Sequence, residues 1–169
     1  MSKHDLSYSD FRYSSNPIDL IEELIQNQEW PYHRLNQEAI VIEIPGRWGD
    51  YRLQFFWQSD VNILQLSCDL DLRIPGKDLS KVFELLSRIN ERVFVGHFEY
   101  SSEEGTLLYR YGVIVQDLKT LSAEYLESIV EIAFQECERF YPAFQMALIE
   151  NKSMKDAIST VMFDTVGEA

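Results

Sequence analysis

The residues that invite a chemical reading are the two aspartates of "CDLDL", Asp69 and Asp71, and the three histidines, His4, His33 and His97. Carboxylates two apart on a strand share a face, where they could hold a cation or relay a proton. The same spacing, ending at Arg73, is also the ordinary solvated side of a half-buried strand, and that is the reading favoured here. His33 and His97 fall in separate strand segments and His4 in the N-terminal arm. No HxH, HExxH or carboxylate spacing links them into a metal set. A nucleophile needs a base beside it and often a strained turn that exposes it, yet there is no GxSxG. None of the seven glycines is arranged to cradle phosphate. Alternation points Cys68 to an apolar face, where a thiol is inert packing. No catalytic residue, metal site or cofactor is therefore expected. An enzyme or small-molecule site built on His33, His97 and Asp69 is the competing class, and it requires those three to converge.

A second set of residues could bind a partner chain rather than react. Trp48 sits in the hairpin tip "GRWGD", where it either folds back or anchors a partner, with Arg47 beside it. Phe56 falls on the side of its strand that carries Arg52, Gln54 and Gln58. Leu108 and Ile114 share a side with Arg110, and Val41 lies on the otherwise polar side of its strand. Phe140, Tyr141 and Phe144 surround Pro142 and either cap the protein's own core or face a partner. If these apolar residues cluster, they form a patch suited to a partner chain or a second subunit.

Composition narrows the partners. The 169 residues suit one domain, here taken as 16–166 behind a mobile arm of residues 1–15 that carries Tyr8, Phe11 and Tyr13. With 28 acidic and 15 basic side chains the formal charge is −13, which repels phosphate backbones. Nucleic acid and anionic membranes are excluded as expected partners, and an RNA platform on the aromatic sheet fails for want of basic surroundings. Two isolated cysteines, with neither a signal-peptide core nor a spanning segment, suggest a reducing, cytoplasmic setting.

The elements that must position these residues follow from periodicity. Asn16-Pro17 starts a helix faced by Ile18, Ile21, Leu24 and Ile25. After Trp30-Pro31 the period becomes two through "EAIVIEIPG", "YRLQFFWQ" and "ILQLSCDLDLRIPG", which read as meander strands with one buried face. A helix capped by Asp78 carries Leu79, Val82, Phe83, Leu86, Ile89 and Val93. Strands "FVGHFEY" and "TLLYRYGVIV" meet at Gly105. Ser122 begins the longest helix, and Ser153 with Asp156 caps a short last one faced by Met154, Ala157, Ile158, Val161 and Met162. Apolar phase runs straight through Pro142, so the proline bends the long helix without ending it and frees the carbonyl of Glu138.

The stretch "INERVFVGHFEYSSEEGTLLYRYGV" followed by "ECERFYPAF" is similar to the YbjN family of bacterial proteins. A helix ends in Asn90, a strand carries Gly96 and Phe98, Gly105 turns, Tyr109-Arg110 follows, and Tyr141-Pro142 lies in a late helix. "EIPGRWGDYRLQFFW" and "FDTVGEA" resemble the alphaproteobacterial branch. The resemblance implies a curved antiparallel sheet with helices against it, the α+β fold of type III secretion chaperones, often dimeric. It also implies a regulator without assigned catalytic residues. The expectation is thus a cytoplasmic, non-enzymatic adaptor, regulator or chaperone-like protein, homodimeric, that binds a partner polypeptide at Trp48, Phe56, Phe140, Tyr141 and Phe144.

Overall fold

The computed structural model describes residues 16–74 and 79–164, with the side chains of the last two positions omitted. Helix α1 (Pro17–Gln28) is followed by strands β1 (Tyr32–Arg34), β2 (Ala39–Pro45), β3 (Asp50–Gln58) and β4 (Ile63–Arg73). Then come α2 (Ser80–Asn90), β5 (His97–Ser101), β6 (Thr106–Ile114), the long α3 (Ala123–Phe144) and α4 (Met154–Asp164). The strands form one antiparallel sheet in the order β1-β2-β3-β4-β6-β5. This is the expected α+β architecture, with a short β1 completing the meander.

Alternation decides which face is covered. Tyr51, Leu53, Phe55 and Trp57 of β3 and Leu64, Leu66, Cys68, Leu70 and Leu72 of β4 all enter the core. There they meet Ile18, Ile21 and Ile25 of α1 and Leu126, Val130, Ala133 and Cys137 of α3. Their in-between neighbours stay on the other side, which no helix among the described residues covers. Cys68 and Cys137, far apart in sequence, are both wholly buried free thiols, and burial pushes the Cys137 thiol up.

The helix starts obey their caps. The Asn16 side chain accepts from the Ile18 N–H at 3.0 Å, and the Ser122 hydroxyl from the Tyr125 N–H at 3.1 Å. At α4 the Asp156 N–H donates to Ser153 Oγ at 3.1 Å, and that hydroxyl donates back to the Asp156 carboxylate at 2.7 Å. Helix α3 continues through Pro142 to Phe144 and then widens into a single π turn over Gln145–Ile149.

Two apolar stripes differ from expectation. Phe83 is 55% exposed while Leu85 is fully buried, because α2 presents Val82, Leu85, Leu86 and Ile89 to the core. Met162 is likewise exposed, and α4 turns Ala157 and Val161 inward. The expected cap Asp78 lies outside the described residues, as do His4 and the aromatics of residues 1–15. Among the described residues no helix is long and apolar enough to cross a membrane.

Candidate functional site

The uncovered sheet face is read most directly along its register. His33 lies beside Val41, Val41 beside Gln54, Gln54 beside Ser67, Ser67 beside Arg110, and Arg110 beside His97. This single row crosses all six strands. Five inter-strand spacings of about 4.8 Å each separate His33 from His97 along the sheet, at opposite edges. The two histidines do not converge on one substrate. Asp69, the third member of that candidate set, is taken up structurally: its Oδ1 accepts from the Asp71 N–H at 2.8 Å and from the Thr106 hydroxyl at 3.0 Å. These bonds pin a β-bulge between Asp69 and Arg73 in which Asp71 adopts φ +51°. The paired aspartates are therefore a bulge lock.

The next rows contain Ala39, Phe56, Gln65 and Gly112, then Glu43, Arg52, Asp69, Leu108 and Glu99. Between them lies a cleft of about 310 Å³, lined by Arg52, Phe56, Gln65, Ser67 and Leu108 and walled by Glu103 and Glu104 of the β5–β6 turn. Phe56 is half-buried here and Leu108 is buried, whereas Ile114 stands 70% exposed farther along β6. Arg110 pairs with Glu99 at 2.5 Å, and His97 approaches the same carboxylate at 3.3 Å. The Arg110 Nε–H, by contrast, is buried without an acceptor. Arg52, Gln54, Gln65 and Ser67 make no side-chain hydrogen bond or ion pair among the described residues. The face is thus a mixed tile of unused donors and acceptors around a phenyl ring.

The other aromatic candidates lie on the helix side of the sheet. The turn between β2 and β3 closes through the Gly46 N–H and the Gly49 carbonyl at 2.9 Å and bends onto α3. Trp48 Nε1–H donates to the carbonyl of Glu138 at 3.2 Å, the acceptor that Pro142 leaves without its helical donor. The Arg47 N–H donates to Glu138 Oε1 at 2.8 Å. The Trp48 ring lies parallel to Tyr141 at 6.2 Å, and the Arg47 guanidinium sits over Trp48 at 4.9 Å. A Cβ at Gly46 would overlap Tyr51 and Glu138, so this close approach requires glycine. Trp48 folds back.

Phe140 and Phe144 are fully buried and pack edge-to-face on Phe98 at 5.5 and 5.2 Å. They belong to the protein's own core, so the expectation that they meet a partner is corrected. Phe56 and Tyr141 lie on opposite sides of the sheet. One continuous patch joining Phe56 to the long helix, as expected from sequence, does not form.

The distributed motif residues also have structural roles. The Asn90 side chain donates to the Phe98 carbonyl at 3.0 Å and accepts from the Phe98 N–H at 2.8 Å, occupying the outer edge of β5. The Tyr109 hydroxyl donates to the Val95 carbonyl at 2.5 Å. Gly96 holds φ +71° against that tyrosine, where a Cβ would collide with its hydroxyl. Sequence reasoning did not reach Glu138 as the acceptor for Trp48, since the 90-residue separation leaves no local signal.

A family model described as "YbjN: Putative bacterial sensory transduction regulator" matches residues 17–146. Among solved structures, the chain is similar to one in the crystal structure of the ExsC–ExsE complex, with TM-score 0.54 and 15% identity, covering 79% of this chain and 96% of that one. It is also similar to the crystal structure of YbjN from E. coli, with TM-score 0.49 and 12% identity, covering 72% of this chain and 85% of that one. No curated protein sequence matches.

Proposed function

Because the chain belongs to the YbjN family, we propose that it is a non-enzymatic regulator, adaptor or chaperone-like protein that binds a partner polypeptide on its uncovered sheet face. The observation that carries this reading is the half-buried Phe56, framed by Arg52, Gln54, Gln65 and Ser67, none of which has a side-chain partner within the described residues. An incoming chain would remove the phenyl ring from water and satisfy the amides and the guanidinium. One solved structure with this fold is of the ExsC–ExsE complex, which makes a protein ligand the natural class to test. In this reading the protein works as a single cytoplasmic domain that also self-associates, and its −13 charge disfavours acidic partners. Separation of His33 from His97 by the width of the sheet argues against the competing enzyme site.

The test compares affinity capture from native extract by the tagged protein and by Phe56→Glu, with thermal melting as a fold control. Phe56 lies on the uncovered side and outside the core, so the variant should melt like the parent and lose its bound proteins. Equal capture by both would remove the sheet face from the proposal.

A further inference from the structure

Arg52 is out of keeping with its surroundings. In a chain with 28 acidic and 15 basic side chains it stands directly between two carboxylates, Glu43 on β2 and Asp69 on β4. Among the described residues it pairs with neither, and Asp69 Oδ1 accepts from the Asp71 N–H and the Thr106 hydroxyl instead. Arg34, Arg88, Arg92, Arg110 and Arg139 each pair with a carboxylate, and Arg47 lies over Trp48. Arg52 is exposed and lines the cleft that holds Phe56.

Arg110 lines the same cleft from the other side of β4. It spends Nη2 on Glu99, and its side chain is still 37% exposed. Ser67 of β4 lies beside Arg110 in register, and the next residue on its face, Asp69, lies beside Arg52. A group held above Ser67 is therefore flanked by both guanidiniums. Two residues back along β4 is Gln65, directly beside Phe56. At about 3.4 Å per residue, the cationic half of the cleft and its phenyl ring are about 7 Å apart along the strand, the i, i+2 repeat of an extended chain.

We propose that the partner segment recognised here is extended along β4 and carries one aspartate or glutamate two residues from an aromatic or branched aliphatic side chain. The carboxylate sits between Arg52 and Arg110, and the apolar group sits on Phe56. This deepens, and rests on, the reading that a polypeptide binds this face. Residues i and i+2 of an extended chain share a side, whereas i and i+1 point apart, so only the first spacing delivers both groups together. A guanidinium fork matches a carboxylate through two parallel hydrogen bonds, which a neutral amide does not reproduce. Glu103 and Glu104 wall the cleft without side-chain partners among the described residues, so the rest of the segment is neutral or basic.

Amide NMR titration of the full chain tests this with three acetylated and amidated peptides: KTETFTK, its neutral form KTQTFTK, and KTTEFTK, in which the two groups are adjacent. KTETFTK should shift the amides of Phe56, Ser67 and Arg110. The other two should each bind about tenfold more weakly or worse. Arg52→Gln should melt like the parent, bind KTETFTK about as weakly as the parent binds KTQTFTK, and leave KTQTFTK binding unchanged. Equal binding of KTETFTK and KTQTFTK would overturn the carboxylate contact, and equal binding of KTETFTK and KTTEFTK would overturn the spacing. No shift with any peptide would overturn the inference as a whole. If native capture is still lost in Phe56→Glu, the wider reading survives each of these failures; equal capture by parent and Phe56→Glu would remove the reading and the inference together.

Discussion

At the scale of single residues, the unpaired buried groups matter most for stability. Glu136 keeps one oxygen buried without a partner while Arg139 stands 3.6 Å from the other. Burial raises its pKa above the ordinary 4.5, and Arg139 offsets this only in part. The folded state then holds this proton longer than the unfolded state does. Between 4.5 and the raised folded value the native protein binds more protons, so this residue's contribution to stability falls as pH rises through that window. Glu136→Gln should match the parent below the window and melt higher than the parent above it. Thermal melts at stepped pH check this, and a constant difference at every pH would refute it.

Among elements, the informative pair is the β2–β3 turn and α3. Pro142 deprives Glu138 of its helical donor, and Trp48 from a distant hairpin supplies a replacement. Trp48→Phe should cost about 1 kcal/mol in urea unfolding by leaving that carbonyl bare. In a Pro142→Ala background the restored N–H covers the same carbonyl, so Trp48→Phe should cost less there. The resulting coupling is about 0.5–1 kcal/mol in a double-mutant cycle, and simple additivity would separate the two residues. A second device protects the sheet edge. Asn90→Ala removes both side-chain bonds to Phe98 and should cost about 1–3 kcal/mol. Amide exchange at Phe98 should accelerate with it, whereas unchanged exchange would mean the edge is guarded some other way.

Over the whole molecule, two surfaces stand apart: a sheet face with unused polar groups around Phe56, and an exposed ring at Phe94 in the α2–β5 turn. In the proposed function the first is the surface that receives an incoming chain, so a variant at Phe56 is the one that tests it. Charge acts at this scale too. At −13, a contact with another acidic surface is disfavoured, and the α2–β5 turn is locally neutral because Arg88 pairs with Glu84 and Arg92 with Glu91.

The sequence by itself determined the elements and their faces, because period and caps are local: "ILQLSCDLDL" alternates, Asn16-Pro17 and Ser153 cap helices, and the apolar phase of α3 crosses Pro142. It also carried the family, through a pattern whose members prove to be edge, turn and packing residues. Only the tertiary structure decided which candidates meet. Phe140 and Phe144 went inward because Phe98 receives them; Trp48 folded back because a freed carbonyl was waiting; His33 and His97 were separated by strand order. Phe94 has no sequence signal either, since a ring in an apolar run reads as core until the Val95–Tyr109 bond sets the turn that turns it outward. Such facts depend on contacts between distant positions, and periodicity along the chain carries no information about them.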